Sequence, residues 1–331
     1  MYFVASAFDD NYLWPWACSA FSAIRSGGRT PKFLLANVDG LLSPRGEELV
    51  LRTSEALGFS AEIVPLTTPT WDVRYTNQWN ATVFARLLLL DRLPERFLWL
   101  DSDTLVLNGW QQVAERSEDL FATSDVIACA VRDRDATLAR MAKSGTNEAF
   151  VASHGEYVNA GVFVGDPQRW RAEGMHDRWM DVVATQSRRG FEYFDQDVLN
   201  LVLAGRIGIL PRAYNHIVSE PAMGDERVLH FAGYPKPWKL SPDAQAFFIA
   251  SEALNAGCPQ HQISGGGVGW QLFPLYWQVE REFTARLAAT GHEQLRDALL
   301  EIRAANVDAL EWAASVKLRL MRLLATKVRG K

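Results

Sequence analysis

The chain has 331 residues, of which 48% are hydrophobic and 22% charged, and its net charge is −5. This length is sufficient for one large α/β domain, or for one domain with an appendage. The negative charge argues against a general nucleic-acid-binding protein, in which a basic surface supplies most of the affinity. The composition is that of an ordinary globular protein, and we expect no nucleic-acid partner.

The three cysteines, Cys18, Cys129 and Cys258, are widely spaced and form no CxxC pattern. They are typical of small buried hydrophobic residues rather than of a disulfide framework or a metal site. No apolar run approaches the about 18–20 residues that a membrane span requires. The start of the chain shows no basic region followed by a long apolar segment, so we expect a cytoplasmic protein.

Apolar runs and helical patterns alternate through the first hundred residues. The predicted strands are 2–8, 32–38, 61–66 and 97–100, and the predicted helices are 13–26, 44–57 and 81–90. This alternation predicts an α/β fold with a mostly parallel sheet flanked by helices. No glycine fingerprint of the Rossmann or P-loop kind follows the first strand, which indicates that side chains would hold a bound nucleotide.

Two carboxylates follow the most apolar of these strands. Asp101-Ser102-Asp103 comes directly after the run Phe97-Leu98-Trp99-Leu100 and therefore lies at the carboxyl edge of the predicted sheet. Open α/β sheets bind their ligands at that edge. Because residues i and i+2 of an extended chain share a face, both carboxylates can point at one divalent cation. Such a cation can hold a diphosphate.

The second half of the chain changes character at about residue 241. Before it we predict strands 126–131, 158–164 and 228–231 and a helix over 194–203; after it we predict helices over 242–255 and 276–327, separated by a glycine-rich turn at 265–269. The predicted domains are therefore 1–240, which carries the candidate site, and 241–331, a mainly helical appendage.

Five segments, in this order, resemble the retaining glycosyltransferases of family 8. They are 7–12, 97–106, 157–163, 194–200 and 230–238, and the last has the form H-x-x-G-x-x-K-P-W. The family includes bacterial lipopolysaccharide galactosyl- and glucosyltransferases and the glycogenins. The resemblance covers residues 1 to about 240 and implies a GT-A-type fold that binds a sugar nucleotide at the carboxyl edge of the sheet.

The resemblance implies a metal ion, Mn²⁺ or Mg²⁺, held by Asp101, Asp103 and His230. Two carboxylates and one imidazole leave coordination positions for the two phosphates of UDP, and Mn²⁺ accepts a nitrogen ligand more readily than Mg²⁺ does. The ion would stabilise the charge that builds on the departing diphosphate.

The resemblance also implies a set of residues around the UDP-sugar donor. They are Ala7, Asp9, Asn11, Arg86, Ser102, Asp103, Asn159, Gly233 and Lys236. Lys236 is expected to be a second cation on the diphosphate, with an ordinary surface lysine as the alternative, and Gly233 would let the backbone approach the phosphates. Asp9 and Asn11 would contact the uracil end, a role that is compatible with forming a turn.

Gln196 and Asp195 are the expected catalytic residues. Double displacement needs a carboxylate beneath the anomeric carbon, but the residue that matches the family there is Gln196, a poor nucleophile. We therefore expect front-face substitution, with Asp195 kept as an alternative nucleophile. Arg86 lies in an otherwise apolar helix and needs a partner, for which Asp195 is the candidate; an ion pair without substrate contact is the alternative. Asp133, which follows a strand, is a candidate acceptor-binding residue.

The expected function is the transfer of a hexose from UDP-galactose or UDP-glucose to a hydroxyl of a glycan or lipid-linked acceptor such as lipopolysaccharide. One alternative is a phosphatase of the haloacid dehalogenase type, whose D-x-D-x-T loop would use Asp101 as nucleophile and Asp103 as acid/base. That family's downstream acidic motif is not evident after Gly165-Asp166. The other alternative is a sugar-nucleotide-binding protein without catalysis.

The segment 312–331 has six basic residues and no acidic one. Its apolar residues recur at helical spacing, which is typical of a helix that lies on an anionic membrane surface. It would give the protein peripheral contact with the inner face of the membrane. A helix packed on the catalytic domain with a solvated basic end is the alternative.

Overall fold

The computed structural model describes residues 3–70, 73, 75, 80–134, 137, 156–186, 193–233, 236–241, 245 and 272–307. The chain divides into two compact units, one formed by Met1–His216 with Ala222–His230 and the other by Ile217–Pro221 with Phe231–Lys331. The domain boundary at residue 240 stays a prediction.

The described strands and helices alternate through most of the chain. In chain order they are β1 Phe3–Ala7, α1 Leu13–Arg25, β2 Lys32–Val38, α2 Pro44–Leu57, β3 Ser60–Leu66, α3 Ala85–Arg92, β4 Phe97–Leu100, β5 Thr104–Val106, α4 Gln112–Thr123, β6 Ala128–Arg132, β7 Val158–Gly165, α5 Pro167–Ala172, α6 Met175–Gln186, α7 Asp195–Val202, β8 Ile207–Ile209, β9 His216–Ile217, β10 Val228–His230, α8 Phe273–Ala289 and α9 Glu293–Ala305. Short 3₁₀ turns occupy Asp10–Tyr12, Ala81–Phe84, Arg212–Asn215 and Pro237–Lys239.

The central sheet has seven strands in the order β3-β2-β1-β4-β7-β6-β8. The strands from β3 to β4 are parallel to one another, as are β6 and β8. Strand β7 runs antiparallel to both of its neighbours, β4 and β6. The expected mostly parallel sheet is confirmed. The reversed β7 has a consequence for the site, because its first residues lie beside the carboxyl end of β4.

Helices cover the sheet on both faces. Phe97 and Trp99 of β4 share one hydrophobic core with Leu87 and Leu90 of α3, and the same core includes residues of α5, α6 and α7. On β2, Phe33 packs edge-to-face against a tryptophan of α1, with the ring centroids 6.4 Å apart. Leu34, the next residue of β2, belongs to the core shared by β4 and α3. Because successive residues of a strand point to opposite faces, α1 covers the other face of the sheet.

Local sequence explains where α2 begins and ends. The Ser43 hydroxyl accepts a hydrogen bond from the Gly46 amide at 3.0 Å, and Pro44 occupies the first helical position. Gly58 ends the helix with φ +73°, a conformation that favours glycine. The predicted helix over 44–57 has these same bounds.

The Asp101–Asp103 segment differs from its prediction. It forms a turn between β4 and β5 instead of extending β4, so the two carboxylates converge through the turn and not through the i, i+2 spacing of a strand. The Thr104 hydroxyl closes the turn by donating to the Asp101 carbonyl oxygen at 2.8 Å. Strand β5 then pairs antiparallel with β10, with Thr104 opposite His230, so that this imidazole lies next to the turn.

The second unit is mainly helical in its described part, as predicted. Aromatic side chains form its core: Phe231 contacts the rings of Phe273 and Tyr276, and Trp238 also contacts Tyr276. The predictions for 242–255, 265–269 and 308–331 fall outside the described residues, apart from the helical Gln245. Among the helices that the structure describes, none combines the length and apolar character needed to cross a bilayer.

Cys18 and Cys129 are buried, as the sequence predicts, while Cys258 lies outside the described residues. Burial raises the pKa of the Cys129 thiol to about 12. This cysteine therefore remains a neutral, apolar component of the core.

A buried ion pair joins the two helices of the second unit. The guanidinium of Arg303 on α9 binds the carboxylate of Glu280 on α8, and both side chains are about nine-tenths buried. Removing one partner of a buried pair leaves the other charge in a low-dielectric environment, at a cost of about 3–5 kcal/mol.

We expect Arg303→Met to lower the free energy of unfolding by about this amount, because Glu280 loses its counter-ion. Urea unfolding followed by circular dichroism measures the change. Arg296→Met, which removes a more exposed arginine from the same helix, is the control and should shift stability by less than about 0.5 kcal/mol. The double variant Glu280→Gln/Arg303→Met should recover part of the loss. Equal stability of the two single variants would contradict a stabilising role for the pair.

Candidate active site

Asp101, Asp103 and His230 each offer one ligand atom, and these atoms lie within 4.8 Å of one another. His230 Nε2 is 3.3 Å from Asp103 Oδ1 and 3.8 Å from Asp101 Oδ2. Asp103 and His230 are buried, and Asp101 is partly exposed. Two carboxylates and an imidazole nitrogen in this arrangement are a donor set that suits a divalent transition-metal ion.

Gly161 on β7 keeps the space beside these three side chains open. A β-carbon at this position would lie 2.1 Å from His230 Cε1 and 2.9 Å from Asp101 Oδ2, closer than real contacts allow. Only glycine therefore permits the observed approach of the strand to the ligand atoms. The residues present fit a divalent cation.

Arg86 on α3 is a buried guanidinium that joins two carboxylates. Its Nη2 donates to Asp101 Oδ1 at 2.9 Å, and its Nη1 donates to the Ala160 carbonyl oxygen. Its Cζ lies over the ring of Trp99, 4.7 Å from the ring centre. Its Nε is 2.9 Å from Asp195 Oδ2, an ion-pair distance without the alignment of a hydrogen bond. The structure thus contains the Arg86–Asp195 pair that the sequence suggests, and it adds a pair with Asp101.

Asp195 is buried at the start of α7. Its burial raises the pKa of its carboxyl to about 7, with Arg86 acting in the opposite direction and the negative charge of Asp101 adding to the rise. One arginine shared between two carboxylates does not fully compensate for the loss of water. The carboxyl of Asp195 is therefore poised between its two protonation states near neutral pH.

The backbone immediately before Asp195 is strained. Phe194 has φ +43° and ψ −111°, a region that residues with a β-carbon rarely adopt, at a typical cost of about 1–3 kcal/mol. Its ring is buried in the hydrophobic core that β4 shares with α3, and it stacks on the ring of Tyr75, with the centroids 6.2 Å apart. Core packing thus stabilises a turn that brings Asp195 and Gln196 into the site.

Gln196 has both ends of its amide bound within the protein. Its Oε1 accepts hydrogen bonds from Asn159 Nδ2 at 3.0 Å and from the Ala160 amide at 3.1 Å. Its Nε2 donates to Asp133 Oδ2 at 2.8 Å and to the Tyr157 hydroxyl oxygen at 3.2 Å. The orientation of this amide is therefore fixed, and both lone pairs of its oxygen are engaged in hydrogen bonds.

Asp133 is 5% exposed and is held entirely by its neighbours. Its Oδ1 accepts from the Arg134 amide at 2.6 Å and from the Thr137 hydroxyl at 3.3 Å, while its Oδ2 accepts from Gln196. In this structure it positions the Gln196 amide. Its expected role in binding an acceptor stays a prediction.

The residues expected near the nucleoside lie at the carboxyl end of β1. Ala7 is the last residue of that strand, and Asp9 caps the following 3₁₀ turn by accepting from the Asn11 amide at 3.0 Å. Asp9 Oδ2 also accepts from Asn80 Nδ2 at 2.9 Å, and the Asn11 side chain is exposed. Ser102 is buried between the two aspartates of the β4–β5 turn.

Gly233 and Lys236 belong to the second unit. Lys236 is 5% exposed; its ammonium donates to the Phe231 carbonyl oxygen at 2.7 Å and lies 5.4 Å from the ring centre of Trp238. This burial is inconsistent with the alternative of an ordinary surface lysine. Gly233 has φ +85°, a conformation that favours glycine.

The sequence did not indicate two side chains of this cluster. Tyr157 donates from its hydroxyl to Asp197 Oδ1 at 2.6 Å, and burial raises its pKa well above the usual value. Asn215, at the end of a 3₁₀ turn, contacts both His230 and Asn159. Tyr157 opens the family-like segment 157–163, but its partner Asp197 is 40 residues away. Asn215 has no local sequence signal, because its partners are 15 and 56 residues away.

We expect Gly161→Ala to weaken Mn²⁺ binding strongly, because the new methyl group would overlap His230 and Asp101. Gly165→Ala on the same strand is the matched control, since its methyl group would instead crowd Leu90 and Phe163 in the core. Both variants should lose about 1–3 kcal/mol of stability, but only the first should lose Mn²⁺ affinity, as measured by electron paramagnetic resonance of the free ion. Equal Mn²⁺ affinity in the two variants would contradict the placement of the cation.

The raised pKa of Asp195 also predicts how stability depends on pH. The folded protein keeps a proton up to about pH 7 that the unfolded chain releases near pH 4. The stability that this carboxyl contributes is therefore fully present below about pH 4 and is lost as the pH rises through about 7.

In metal-free protein, we expect Asp195→Asn to lose less stability between pH 4.5 and 7.5 than the parent chain, by up to about 4 kcal/mol. Urea unfolding at a series of pH values measures the difference. Asp181→Asn, which changes an exposed carboxylate, should follow the parent. A parallel pH dependence for Asp195→Asn would show that the buried carboxyl does not hold its proton.

The chain is similar to known glucosyltransferases. The lipopolysaccharide 1,2-glucosyltransferase of Escherichia coli is 26% identical over 181 residues, which cover 49% of this chain and 51% of that protein. The corresponding enzyme of Escherichia coli strain K12 is 23% identical over 197 residues, 54% of this chain and 56% of that protein. The chain thus spans about half the length of these curated relatives.

Solved glycosyltransferases share the fold. The galactosyltransferase LgtC was solved with donor and acceptor sugar analogues. The match covers 82% of this chain and 99% of the LgtC chain, with a TM-score of 0.52 and 20% identity. GlyE of Streptococcus pneumoniae TIGR4 matches 89% of this chain and 64% of its own, with a TM-score of 0.55 and 18% identity. These likenesses confirm the expected GT-A-type fold. The family model described as glycosyl transferase family 8 matches residues 3–241, and the chain therefore belongs to that family.

Proposed function

We propose that the protein is a metal-dependent retaining hexosyltransferase. It would move a hexose from a UDP-sugar, UDP-galactose or UDP-glucose, to a hydroxyl of a glycan or lipid-linked acceptor such as lipopolysaccharide. The observation that carries the proposal is the convergence of Asp101, Asp103 and His230 beside the Arg86–Asp195 pair at one edge of the sheet. Family membership supports the transferase reaction, and the names of the curated relatives support a lipopolysaccharide-type acceptor.

Asp101, Asp103 and His230 are the residues that would hold Mn²⁺ or Mg²⁺. The ion, when bound, supplies positive charge for the departing diphosphate. Asp103 can also contact a sugar hydroxyl through its second oxygen. Two of these ligands come from one turn and the third from β10, which is paired to the strand that follows the turn, so secondary structure holds all three.

The donor would extend from this centre along the carboxyl edge. Ala7, Asp9 and Asn11 are proposed for the nucleoside end, because β1 and β4 are adjacent parallel strands whose carboxyl ends share that edge. Ser102 lies in the metal-binding turn and is proposed as a further donor contact. Gly233 and Lys236 are kept as predictions for the diphosphate, on the family resemblance alone.

The chemistry proposed is front-face substitution. The bond between the anomeric carbon and the UDP oxygen breaks, the acceptor oxygen forms a bond on the same face, and the acceptor proton passes to a phosphate oxygen of the departing UDP. Asp195 and Gln196 would stabilise positive charge at the anomeric carbon, and Asn159 and Arg86 would orient them. The oxygen of Gln196 already accepts two hydrogen bonds, which favours this route over double displacement through that residue.

The location of the enzyme follows from the proposed reaction and not from the described fold. A cytoplasmic enzyme with peripheral contact to the inner face of the membrane, made by 312–331, stays a prediction, because those residues lie outside the described part.

Membership of family 8 argues against the phosphatase alternative. The alternative of a non-catalytic sugar-nucleotide-binding protein is separated by measuring turnover.

We expect Mn²⁺-dependent hydrolysis of one member of a panel of UDP-sugars, and a loss of about 100-fold or more in Asp103→Asn, because the metal-binding set loses a charged ligand. Release of UDP, measured by a coupled assay, reports the rate. Asp119→Asn, on the exposed face of α4, is the matched control and should keep the parent rate. UDP-sugar binding without turnover, in the presence of glycan acceptors, would identify a binding protein instead.

The stereochemistry of the product tests front-face substitution. With an α-linked UDP-hexose as donor and an oligosaccharide acceptor, we expect an α-linked product, which the coupling constant of the anomeric proton identifies in an NMR spectrum. A β-linked product would exclude a retaining mechanism while leaving the metal site intact.

A further inference from the structure

Asn215 lies between the candidate metal ligand His230 and the pair formed by Asn159 and Gln196. It ends the 3₁₀ turn Arg212–Asn215 and is 2% exposed. Its Oδ1 is 3.0 Å from His230 Nδ1, and its Nδ2 is 2.9 Å from Asn159 Oδ1. One buried amide therefore contacts both halves of the candidate site.

Two backbone amides of β7 determine the direction of every hydrogen bond in this network. The Gly161 amide can only donate, so the Asn159 atom 2.9 Å away must be the oxygen Oδ1. The Asn215 atom 2.9 Å from that oxygen must then be the donor Nδ2. The Ala160 amide fixes the other end in the same way, because it donates to Gln196 Oε1, which also accepts from Asn159 Nδ2.

The direction of these bonds determines the tautomer of His230. Because Asn215 turns its Nδ2 toward Asn159, it must present Oδ1 to the imidazole, and Nδ1 of His230 must carry the hydrogen. In the neutral ring Nε2 then has a free lone pair, and Nε2 is the nitrogen that faces Asp101 and Asp103. The ring is thus held in the state that a metal ligand requires.

We propose that Asn215 is a positioning residue that holds His230 in its ligand tautomer and couples the metal-binding imidazole to the orientation of the Gln196 amide. The inference rests on the proposed function in one respect, the binding of a cation by His230. A hydrogen-bond partner behind a metal-ligating histidine typically changes metal affinity by about 10–100-fold.

Two substitutions separate the two contacts of Asn215. Asn215→Leu keeps much of the volume but removes both, so that the Nδ1 hydrogen of His230 and the Asn159 oxygen each lose a partner. Asn215→Asp keeps an acceptor for His230 but places a carboxylate oxygen against Asn159 Oδ1, which disturbs only the arm toward Gln196. Asn37→Leu is the control for a buried asparagine, since Asn37 is bound to Leu42 and Glu47 outside the site.

The first measurement is the tautomer of His230 in metal-free protein at pH 8. With ¹⁵N-labelled histidine, the chemical shifts of Nδ1 and Nε2 report which nitrogen carries the hydrogen, and His230→Ala identifies the signals among the six histidines. We expect an Nδ1-protonated ring in the parent, in Asn215→Asp and in Asn37→Leu, and a mixture of tautomers in Asn215→Leu. An unchanged tautomer in Asn215→Leu would overturn the proposal.

The second measurement is Mn²⁺ affinity without nucleotide, by electron paramagnetic resonance of the free ion. We expect Asn215→Leu to bind about 10–100-fold more weakly and Asn215→Asp to stay within about threefold of the parent. Both should hydrolyse UDP-sugar more slowly, because both disturb Asn159 and Gln196. Equal affinity in Asn215→Leu and the parent would overturn the coupling, whereas a parent that binds no Mn²⁺ would contradict the proposed function and leave the tautomer result to decide the role of Asn215.

Discussion

Unbalanced negative charge is the constraint on which the site depends. Asp101, which is partly exposed, and Asp195, which is buried, share the guanidinium of Arg86, so that one positive charge faces two carboxylates. Asp103 and the His230 nitrogen add further electron pairs next to Asp101. An additional positive charge therefore stabilises the arrangement, and the proton that Asp195 keeps up to about pH 7 is one such charge. A divalent cation held by Asp101, Asp103 and His230, as proposed above, would supply another.

The antiparallel direction of β7 gives this charge cluster its geometry. Its first residues lie against the end of β4, where the Gly161 carbonyl oxygen accepts from the Asp101 amide at 2.8 Å. Within the same three residues, the Ala160 carbonyl accepts from Arg86 and the two amides set the orientation of the Asn159 and Gln196 side chains. One strand thus positions the arginine, the turn that carries Asp101 and Asp103, and the amide network. A site built on a central strand is more precise than one built on loops, because the backbone of the strand is already fixed by its neighbours.

Local patterns predicted the fold well and the site in part. The strand over 97–100 and the helix over 44–57 were predictable because apolar runs, a serine cap and a glycine stop act within a few residues. The prediction of an extended segment at Asp101–Asp103 was wrong. The strand β5 that follows the turn has three residues, which is too short for a period-2 pattern, and it exists through its pairing with β10. Asn215 was missed for the same physical reason. Its importance comes from contacts with His230 and Asn159, which are distant in sequence, and the sequence near Asn215 carries no sign of them.

The hydrogen bonds of Gln196 bear on the retaining reaction that we propose. An amide whose oxygen already accepts two hydrogen bonds is a poor nucleophile, but it is a rigid dipole held by Ala160, Asn159 and Asp133. A fixed dipole costs no reorganisation when charge develops nearby, which is the condition for effective electrostatic stabilisation. In the front-face reaction that we propose, the protein would stabilise charge without bonding to the sugar, and the acceptor proton would pass to the departing diphosphate. That transfer requires attack and departure on one face, so the path of the proton, rather than any single residue, would produce retention.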